Sequence, residues 1–151
     1  MRFSLEFLPK LWYNKLMKIS TKGRYALRFL ADLAVNQKDG YVSLSDVAVR
    51  QGISKKYLEQ IVSLLHGTDF LDSSRGTRGG YRLAKPPEKY TVKQILLATE
   101  GSLAPVSCLD CDGSVCDRAQ MCPTLPVWRG LETAVSDYLD NVTLQDIAFK
   151  R

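Results

Sequence analysis

The sequence predicts a mainly α-helical fold with a small β-hairpin and a long helix near its carboxyl end. Apolar residues recur at helical spacing in several segments, a Gly-Gly pair joins two short strand-like runs, and a heptad-like stripe runs through residues 124–142. The 151 residues, 45% hydrophobic and 25% charged, suffice for one small domain with a helical arm. Because no apolar run approaches the roughly 18 residues that span a bilayer, we expect no membrane partner.

Residues 1–16 form a leader whose apolar side chains are interrupted by polar residues and Pro9. No small-residue cleavage site follows them, so a signal peptide is not expected. Met17 then opens a polar segment that leads into the first helix. We expect Met17 to be the natural start. The alternative is that Met1 is the start and that the leader forms a short amphipathic helix packing on the body.

Residues 17–90 are predicted to form the first domain, which begins with three helices. The predicted helices and their capping residues are 21–36 with Ser20, 45–51 with Ser45, and 55–66 with Ser54. Gly52 lies in the short turn between the second and third helices and can adopt the positive φ that such a turn often needs. Two short helices joined by a Gly-containing turn form a helix-turn-helix.

The third helix has the polar residues that DNA reading requires. In a helix-turn-helix the second helix of the pair enters the major groove by its N-terminal end. Lys55, Lys56 and the hydroxyl of Tyr57 suit phosphates, whereas Gln60 suits an adenine edge and Glu59 a cytosine amino group. The alternative interpretation is an ordinary solvated helix face in a helical bundle.

A hairpin is predicted directly after this helix, with strands over residues 70–75 and 81–84 and a turn at 76–80. A hairpin in that position is the wing of a winged helix-turn-helix, and its tip is expected to reach a narrow minor groove or flanking phosphates. The turn lacks the Lys-Ser/Thr of a P-loop and opens no helix, which argues against a nucleotide enzyme. The predicted DNA-binding residues are Lys22, Arg24, Ser54, Lys55, Lys56, Tyr57, Glu59, Gln60, Arg75 and Arg78.

Charge is unevenly distributed along the chain. Residues 17–90 contain 13 Lys and Arg against seven Asp and Glu, whereas residues 91–151 contain five against eight. A basic front half indicates a polyanionic partner, here double-stranded DNA, although a plain solvated face shows the same bias. The acidic back half assigns DNA binding to one domain.

Residues 91–123 are predicted to form a linking helix, capped by Thr91, and a loop that contains all four cysteines: Cys108, Cys111, Cys116 and Cys122. Disulfides are not expected in a cytoplasmic regulator. Structural zinc usually uses two paired CxxC motifs, whereas this loop has a single CxxC, which disfavours zinc. Iron–sulfur clusters are often held by cysteines of one irregular loop. We favour the cluster, with zinc and a metal-free thiol switch as alternatives.

The last segment, residues 124–151, is predicted to contain the long helix and a final turn over residues 143–149, capped by Thr143 with Asp146. An apolar stripe follows this helix at heptad-like spacing: Trp128, Leu131, Val135, Tyr138 and Val142. The chain has no second globular core, so we expect the same helix of a second subunit to cover the stripe. A two-fold homodimer would present two reading helices to a pseudo-palindromic operator. No catalytic acid–base pair or nucleophile triad is recognisable, so we expect no enzyme.

Several of these segments resemble the family of winged helix-turn-helix regulators typified by the iron–sulfur cluster regulator IscR, which includes nitric-oxide-sensing and cysteine-metabolism regulators. The resemblance rests on residues 17–27, 53–61 and 75–83 and on the cysteine loop. It implies a cytoplasmic, homodimeric DNA-binding regulator, mostly a repressor, that holds a [2Fe–2S] cluster.

The resemblance also implies a ligand set. Cys116 and Cys122 match the last two cysteine ligands of the family, and either Cys108 or Cys111 matches the first. The cluster regulator carries a histidine three residues after its last cysteine, where this chain has Leu125. We therefore expect the four cysteines to supply an all-thiolate set. The cysteine-metabolism branch lacks these cysteines, and Arg24 stands near where the nitric-oxide branch can recruit a carboxylate.

Overall fold

The computed structural model describes residues 17–110 and 116–149 and confirms a mainly helical fold with a small antiparallel sheet. Its helices are α1 Thr21–Asn36, α2 Leu44–Gln51, α3 Lys55–Leu65, α4 Val92–Glu100, α5 Leu125–Asp140 and α6 Leu144–Phe149. Its strands are β1 Leu71–Ser74 and β2 Gly80–Leu83. The predicted leader and Cys111 lie outside the described residues.

Most helix starts follow the predicted caps. Ser20 accepts from the N–H of Lys22 and Ser54 from that of Tyr57, and Thr91 forms a capping box with Gln94. These bonds satisfy N–H groups that the first turn of a helix leaves without a partner.

The predicted cap of α2 is wrong. Ser43, not Ser45, caps this helix, because its Oγ accepts from the N–H of Asp46 at 3.1 Å. The helix therefore begins at Leu44, whose side chain is only 8% exposed. Both serines suit a cap by residue type, and burial of Leu44 in the first turn fixes which of them serves.

The core is built around α1, which packs against α2, α3, α4 and α6. Its fully buried members Phe29, Leu30 and Leu33 each stabilise the fold by about 1.5–3 kcal/mol through removal from water. Leu144 of α6 is fully buried in the same cluster. Tyr90 lies there too: its hydroxyl donates to the main-chain oxygen of Phe70 at 2.9 Å and accepts from the N–H of Lys85 at 2.8 Å.

The wing pairs β1 with β2 in antiparallel register, with Leu71 opposite Leu83 and Ser74 opposite Gly80. Val42, between α1 and α2, forms a single bridge with Tyr81 of β2 through two backbone bonds of 2.9 Å each. A Cβ on Gly80 would lie 2.2 Å from the oxygen of Val42. Glycine is thus required where the wing meets this bridge.

A carboxylate joins the start of α1 to the end of α4. Oε1 of Glu100 accepts from the N–H of Ser20 at 3.0 Å and from its hydroxyl at 2.7 Å. A Cβ on Gly23 would lie 2.4 Å from the same oxygen, so the glycine makes room for this contact. The last residue of α4 is thereby bound to the N-terminal end of α1, where the first domain begins.

Within the described ranges, the helices are all too short or too polar to cross a membrane.

Candidate nucleic-acid interface and cysteine segment

Helix α3 has one buried face and one polar face. Leu58, Ile61, Val62 and Leu65 are buried. The side chains on the other faces are exposed, as predicted: Lys55, Lys56, Glu59, Gln60 and Ser63. Gly52, at φ +62°, ends α2 and permits the sharp turn into α3. The structure therefore places the proposed base-reading side chains at the surface of the predicted reading helix.

A groove of about 440 Å³ separates α3 from the wing. It is lined by Glu59, Val62, Ser63 and His66 on one side and by Tyr81 of β2 on the other. Arg75 and Arg78 lie exposed in the connection between the strands, at the tip of the hairpin. Helix, groove and tip thus form one continuous side of the first domain.

The N-terminal part of α1 adjoins the start of α3. The ring of Tyr25 meets the ring of Tyr57 edge-on, with centroids 5.5 Å apart. Lys22 and Arg24 are exposed on the first turns of α1, and Arg24 donates to the hydroxyl of Thr21 at 3.2 Å. The predicted α1 contacts are therefore on an element that packs directly on the reading helix.

The ion pairs of this domain involve other cations. Arg50 binds Asp32, Arg82 binds Asp72 at 3.3 Å, and Lys85 binds Asp69. The Lys85 ammonium holds the pKa of Asp69 below its usual value through their hydrogen bond. Within residues 17–110 and 116–149, no carboxylate pairs with the predicted DNA contacts Lys22, Arg24, Lys55, Lys56, Arg75 and Arg78. Their charge is available to an external polyanion.

The cysteine segment leads from α4 to α5. Cys108, in a short turn at Ser107–Leu109, and Cys116 are exposed, whereas Cys122 is half-buried just before α5. The hydroxyl of Thr124 lies 3.3 Å from Sγ of Cys122, and this hydrogen bond, with the main-chain N–H groups of Thr124 and Leu125, lowers the pKa of the thiol. All three thiols are free of disulfides.

The donor chemistry of this segment suits a thiolate-bound metal or cluster, because free and accessible thiols are the ligands of both zinc and iron–sulfur centres. Among the described residues, no three His, Cys, Asp or Glu side chains gather into a metal site. Leu125, three residues after Cys122, is only 7% exposed and offers no ligand atom.

The segment also packs on the helices that flank it. A cleft of about 140 Å³ is bounded by Leu97 of α4, Leu103 and Leu109 of the segment, and Val135 of α5. Movement of the cysteine segment would therefore change its packing against both α4 and α5.

Three further residues near the interface were not predicted from the sequence. Arg28 contacts Gln51 at the turn between α2 and α3, and Glu100 binds the N-terminus of α1. These contacts join residues 23 and 80 positions apart. The sequence signal for Arg28 is its spacing of four residues from Arg24, which places both basic residues on one face of α1.

Comparison with known proteins places the chain in a family. Residues 19–150 match the family model Rrf2, described as "Iron-dependent Transcriptional regulator". The HTH-type transcriptional regulator IscR of Aliivibrio salmonicida is 37% identical over 131 residues, which are 87% of this chain and 77% of the relative.

Solved structures give the same result. CymR, the global cysteine regulator of B. subtilis, superposes with a TM-score of 0.72 at 36% identity, covering 88% of this chain and 97% of that one. IscR of T. potens superposes with a TM-score of 0.66 at 35% identity, covering 86% and 85%. The relatives are regulators rather than enzymes, which confirms the expectation from the sequence. The chain is a DNA-binding transcriptional regulator of the Rrf2 family, of the IscR type.

Proposed function

We propose that the chain is a cytoplasmic regulator, mostly a repressor, that reads its operator with α3 in the major groove and the wing at the adjacent minor groove. The observation that carries this proposal is the polar face of α3, continuous with the groove and the wing tip. Lys55, Lys56 and Tyr57 then bind phosphates, and Glu59 and Gln60 face base edges. Ser54, whose oxygen caps α3, can still donate its hydroxyl hydrogen to a phosphate.

The proposed reading unit is a homodimer. Of the α5 side chains, Leu125 alone is buried within the described part of the chain, whereas Val127, Leu131 and Tyr138 are 60%, 40% and 69% exposed. A helix with this much uncovered apolar surface favours a partner helix. Two-fold pairing along α5 would repeat α3 on a pseudo-palindromic operator.

We further propose that Cys108, Cys111, Cys116 and Cys122 hold a [2Fe–2S] cluster that tunes operator binding. IscR and CymR relatives resemble the chain about equally, at 35–37% identity, so the cysteine segment carries this part of the proposal. When bound, such a cluster supplies a redox-sensitive link between thiolates that are separated in sequence.

The chain's own residues suggest how this link reaches DNA. Cys122 lies three residues before the buried Leu125 at the start of α5, and Cys108 lies eight residues after Glu100, which binds the N-terminus of α1. Ligation of Cys108 and Cys122 to one cluster would join the end of α4 to the start of α5 and fix the direction of α5. The spacing between the two α3 helices of the dimer would then be fixed as well.

The deciding experiment is a visible absorption spectrum of anaerobically purified protein, with iron, sulfide and zinc assays on the same sample. We expect a brown protein with bands at about 320–460 nm and iron and sulfide near parity. The variant Cys116→Ala should lose the chromophore, whereas Ser107→Ala, a neighbour without a thiol, should keep it.

Other results assign the segment differently. A colourless protein loaded with zinc would make the segment a structural zinc site. A protein that stays colourless and metal-free after anaerobic reconstitution with iron and sulfide would leave a thiol switch. Either outcome refutes the cluster and leaves the DNA-binding assignment intact.

Glu59 is proposed to set the preferred operator sequence. A carboxylate at the floor of the DNA major groove disfavours sites whose bases offer it no hydrogen-bond donor. In a binding assay against a random-sequence pool, Glu59→Ala should accept more sequences than the wild type. Glu88→Ala, another exposed carboxylate of the same domain, is the matched control. An unchanged ranking of sites in Glu59→Ala would contradict this role.

A further inference from the structure

Arg28, two turns into α1, is bound to the turn of the helix-turn-helix. Its Nε donates to Oε1 of Gln51 at 3.2 Å, and its Nη2 donates to the main-chain oxygen of the same residue. Gln51 is the last residue of α2, so both bonds hold the guanidinium beside the turn into α3. The Arg28 side chain nevertheless remains exposed.

Gln51 is itself held by a buried carboxylate. Its Nε2 donates to Oδ2 of Asp32 at 2.9 Å, and Asp32 is only 4% exposed. Arg50 completes the partners of this carboxylate, with Nη2 2.6 Å from Oδ1. Because Asp32 holds the amide nitrogen of Gln51, the amide oxygen is left to face Arg28. The position of Arg28 is thus determined by a network that begins in the core.

An aromatic pair fixes the other side of the guanidinium. Cζ of Arg28 lies 5.2 Å from the ring centroid of Tyr25, and that ring meets Tyr57 edge-on at 5.5 Å. Tyr57 is in the first turn of α3. Arg28 therefore lies where α1, the turn and the start of the reading helix meet.

The charge of Arg28 is not neutralised by the fold. Arg50 and Arg82 are each paired with an aspartate. Both acceptors of Arg28 are neutral, an amide oxygen and a main-chain carbonyl, and in the described ranges it has no carboxylate partner. Arg24 lies four residues earlier, on the same face of α1. This face is positively charged next to the N-terminus of α3.

We propose that Arg28 is a DNA-backbone contact, a guanidinium that binds a phosphate beside the N-terminus of α3. Two of its five N–H groups are used by Gln51, and the rest can bind a phosphate in the planar geometry typical of arginine. The contact carries no base information; it fixes the register of α3 on the duplex. Because Gln51 and Tyr25 hold the side chain before DNA arrives, less freedom is lost on binding.

This proposal rests on the proposed placement of α3 in the major groove, and its test separates the two. The probes are an operator selected by the wild type from a random pool and a scrambled duplex of about 30 base pairs, long enough for two half-sites. Neutralising one phosphate contact should reduce the slope of log affinity against log salt by about 0.9, which amounts to about 1.8 for a dimer that loses one contact in each subunit. We expect this reduction for Arg28→Met on both duplexes, whereas Lys89→Met, which removes an exposed charge outside α1, α3 and the wing tip, should leave the slope unchanged.

The alternative is that Arg28 only braces the turn. In that case Arg28→Met would lower the melting temperature and leave the salt slope at its wild-type value, which would overturn the proposal. Arg28→Lys addresses a failure to fold, because it keeps the charge but cannot bind both Gln51 and a phosphate in plane. We expect it to keep the slope and to bind both duplexes about three- to tenfold more weakly, whereas wild-type affinity in Arg28→Lys would refute the bidentate contact.

Two further measurements make the assignment specific. Replacing single phosphates by neutral methylphosphonates should identify one position that weakens the wild type and has no added effect on Arg28→Met. Absence of such a position contradicts the contact. Lys55→Ala tests α3 itself. If neither Lys55→Ala nor Arg28→Met changes the salt slope, the placement of α3 in the major groove is wrong. If only Arg28→Met leaves the slope unchanged, the Arg28 contact alone is wrong.

Discussion

Helices α3 and α5 have similar apolar stripes and opposite surroundings. In α3 the stripe is buried against the rest of the first domain, with Leu58, Ile61 and Leu65 fully inaccessible. In α5, which is five residues longer, Leu131 and Tyr138 are 40% and 69% exposed. Helical periodicity therefore identifies which residues share a face, and it does not identify what covers that face.

The difference distinguishes the stability of the folded chain from the stability of its association with a second subunit. Removing a side chain from the α3 stripe acts on the folding of one chain, because its neighbours belong to the same core. Removing Leu131 or Tyr138 from the α5 stripe should act on association, because these two side chains are exposed. Substitutions at Leu58 and at Tyr138 test this separation directly.

Leu58→Ala should cost about 2–5 kcal/mol of unfolding free energy, since it creates a cavity in a fully buried position. Chemical denaturation followed by circular dichroism measures this cost. Leu64→Ala, on the same helix but 39% exposed, is the control and should cost less than about 1 kcal/mol. Equal losses in the two variants would mean that α3 is not covered as described.

Tyr138→Arg should weaken self-association by about a hundredfold or more, because a charge would be placed in the α5 stripe. Sedimentation at several protein concentrations measures the change, and the helical content should stay at the wild-type level. Val49→Arg, at a position 84% exposed on α2, is the matched control. A Tyr138→Arg protein that associates like the wild type would exclude α5 as the interface.

Tyr90→Phe should destabilise the first domain by about 1–3 kcal/mol, because the oxygen of Phe70 and the N–H of Lys85 both lose their partner. Burial raises the pKa of Tyr90. The folded protein therefore resists deprotonation, and wild-type stability should fall as the pH rises above about 10, the ordinary tyrosine value.

The pH dependence supplies the check on this prediction. Denaturation series at neutral and alkaline pH should show a smaller alkaline loss in Tyr90→Phe than in the wild type. Tyr41→Phe, at a half-buried tyrosine whose ring contacts Arg82, should keep the wild-type profile. A parallel decline in all three proteins would contradict the assignment to Tyr90.

Glu100→Gln should have the smallest effect, about 0.5–1.5 kcal/mol, because the amide keeps an acceptor for Ser20 and loses the charge. Hydrogen exchange at the first turn of α1 measures the loosening locally. Glu132→Gln, a half-buried carboxylate of α5, should leave that turn protected. Unchanged exchange in Glu100→Gln would show that the charge contributes nothing to the junction.

The helices of the first domain could be predicted because local rules and packing agree there. Serine and threonine caps, Gly52 and the periodic apolar residues all favour the same elements. The cap of α2 could not be chosen between Ser43 and Ser45 without knowing that Leu44 is buried.

The residues of the candidate interface also fall into those that the sequence predicts and those that it does not. Once α3 was recognised, its exposed residues, among them Lys55 and Glu59, followed from its spacing. The network from Asp32 through Gln51 to Arg28 did not, because a buried aspartate in the middle of a helix gives no local signal of its partners. Contacts of that kind depend on how helices pack and become visible only in three dimensions.

The uneven distribution of charge has a consequence for how the protein meets DNA. Basic residues outnumber acidic ones over residues 17–90, and the reverse holds over residues 91–151. Because the basic excess belongs to the domain that contains α3, long-range attraction should favour approach to a duplex by that domain and speed productive encounter at low salt.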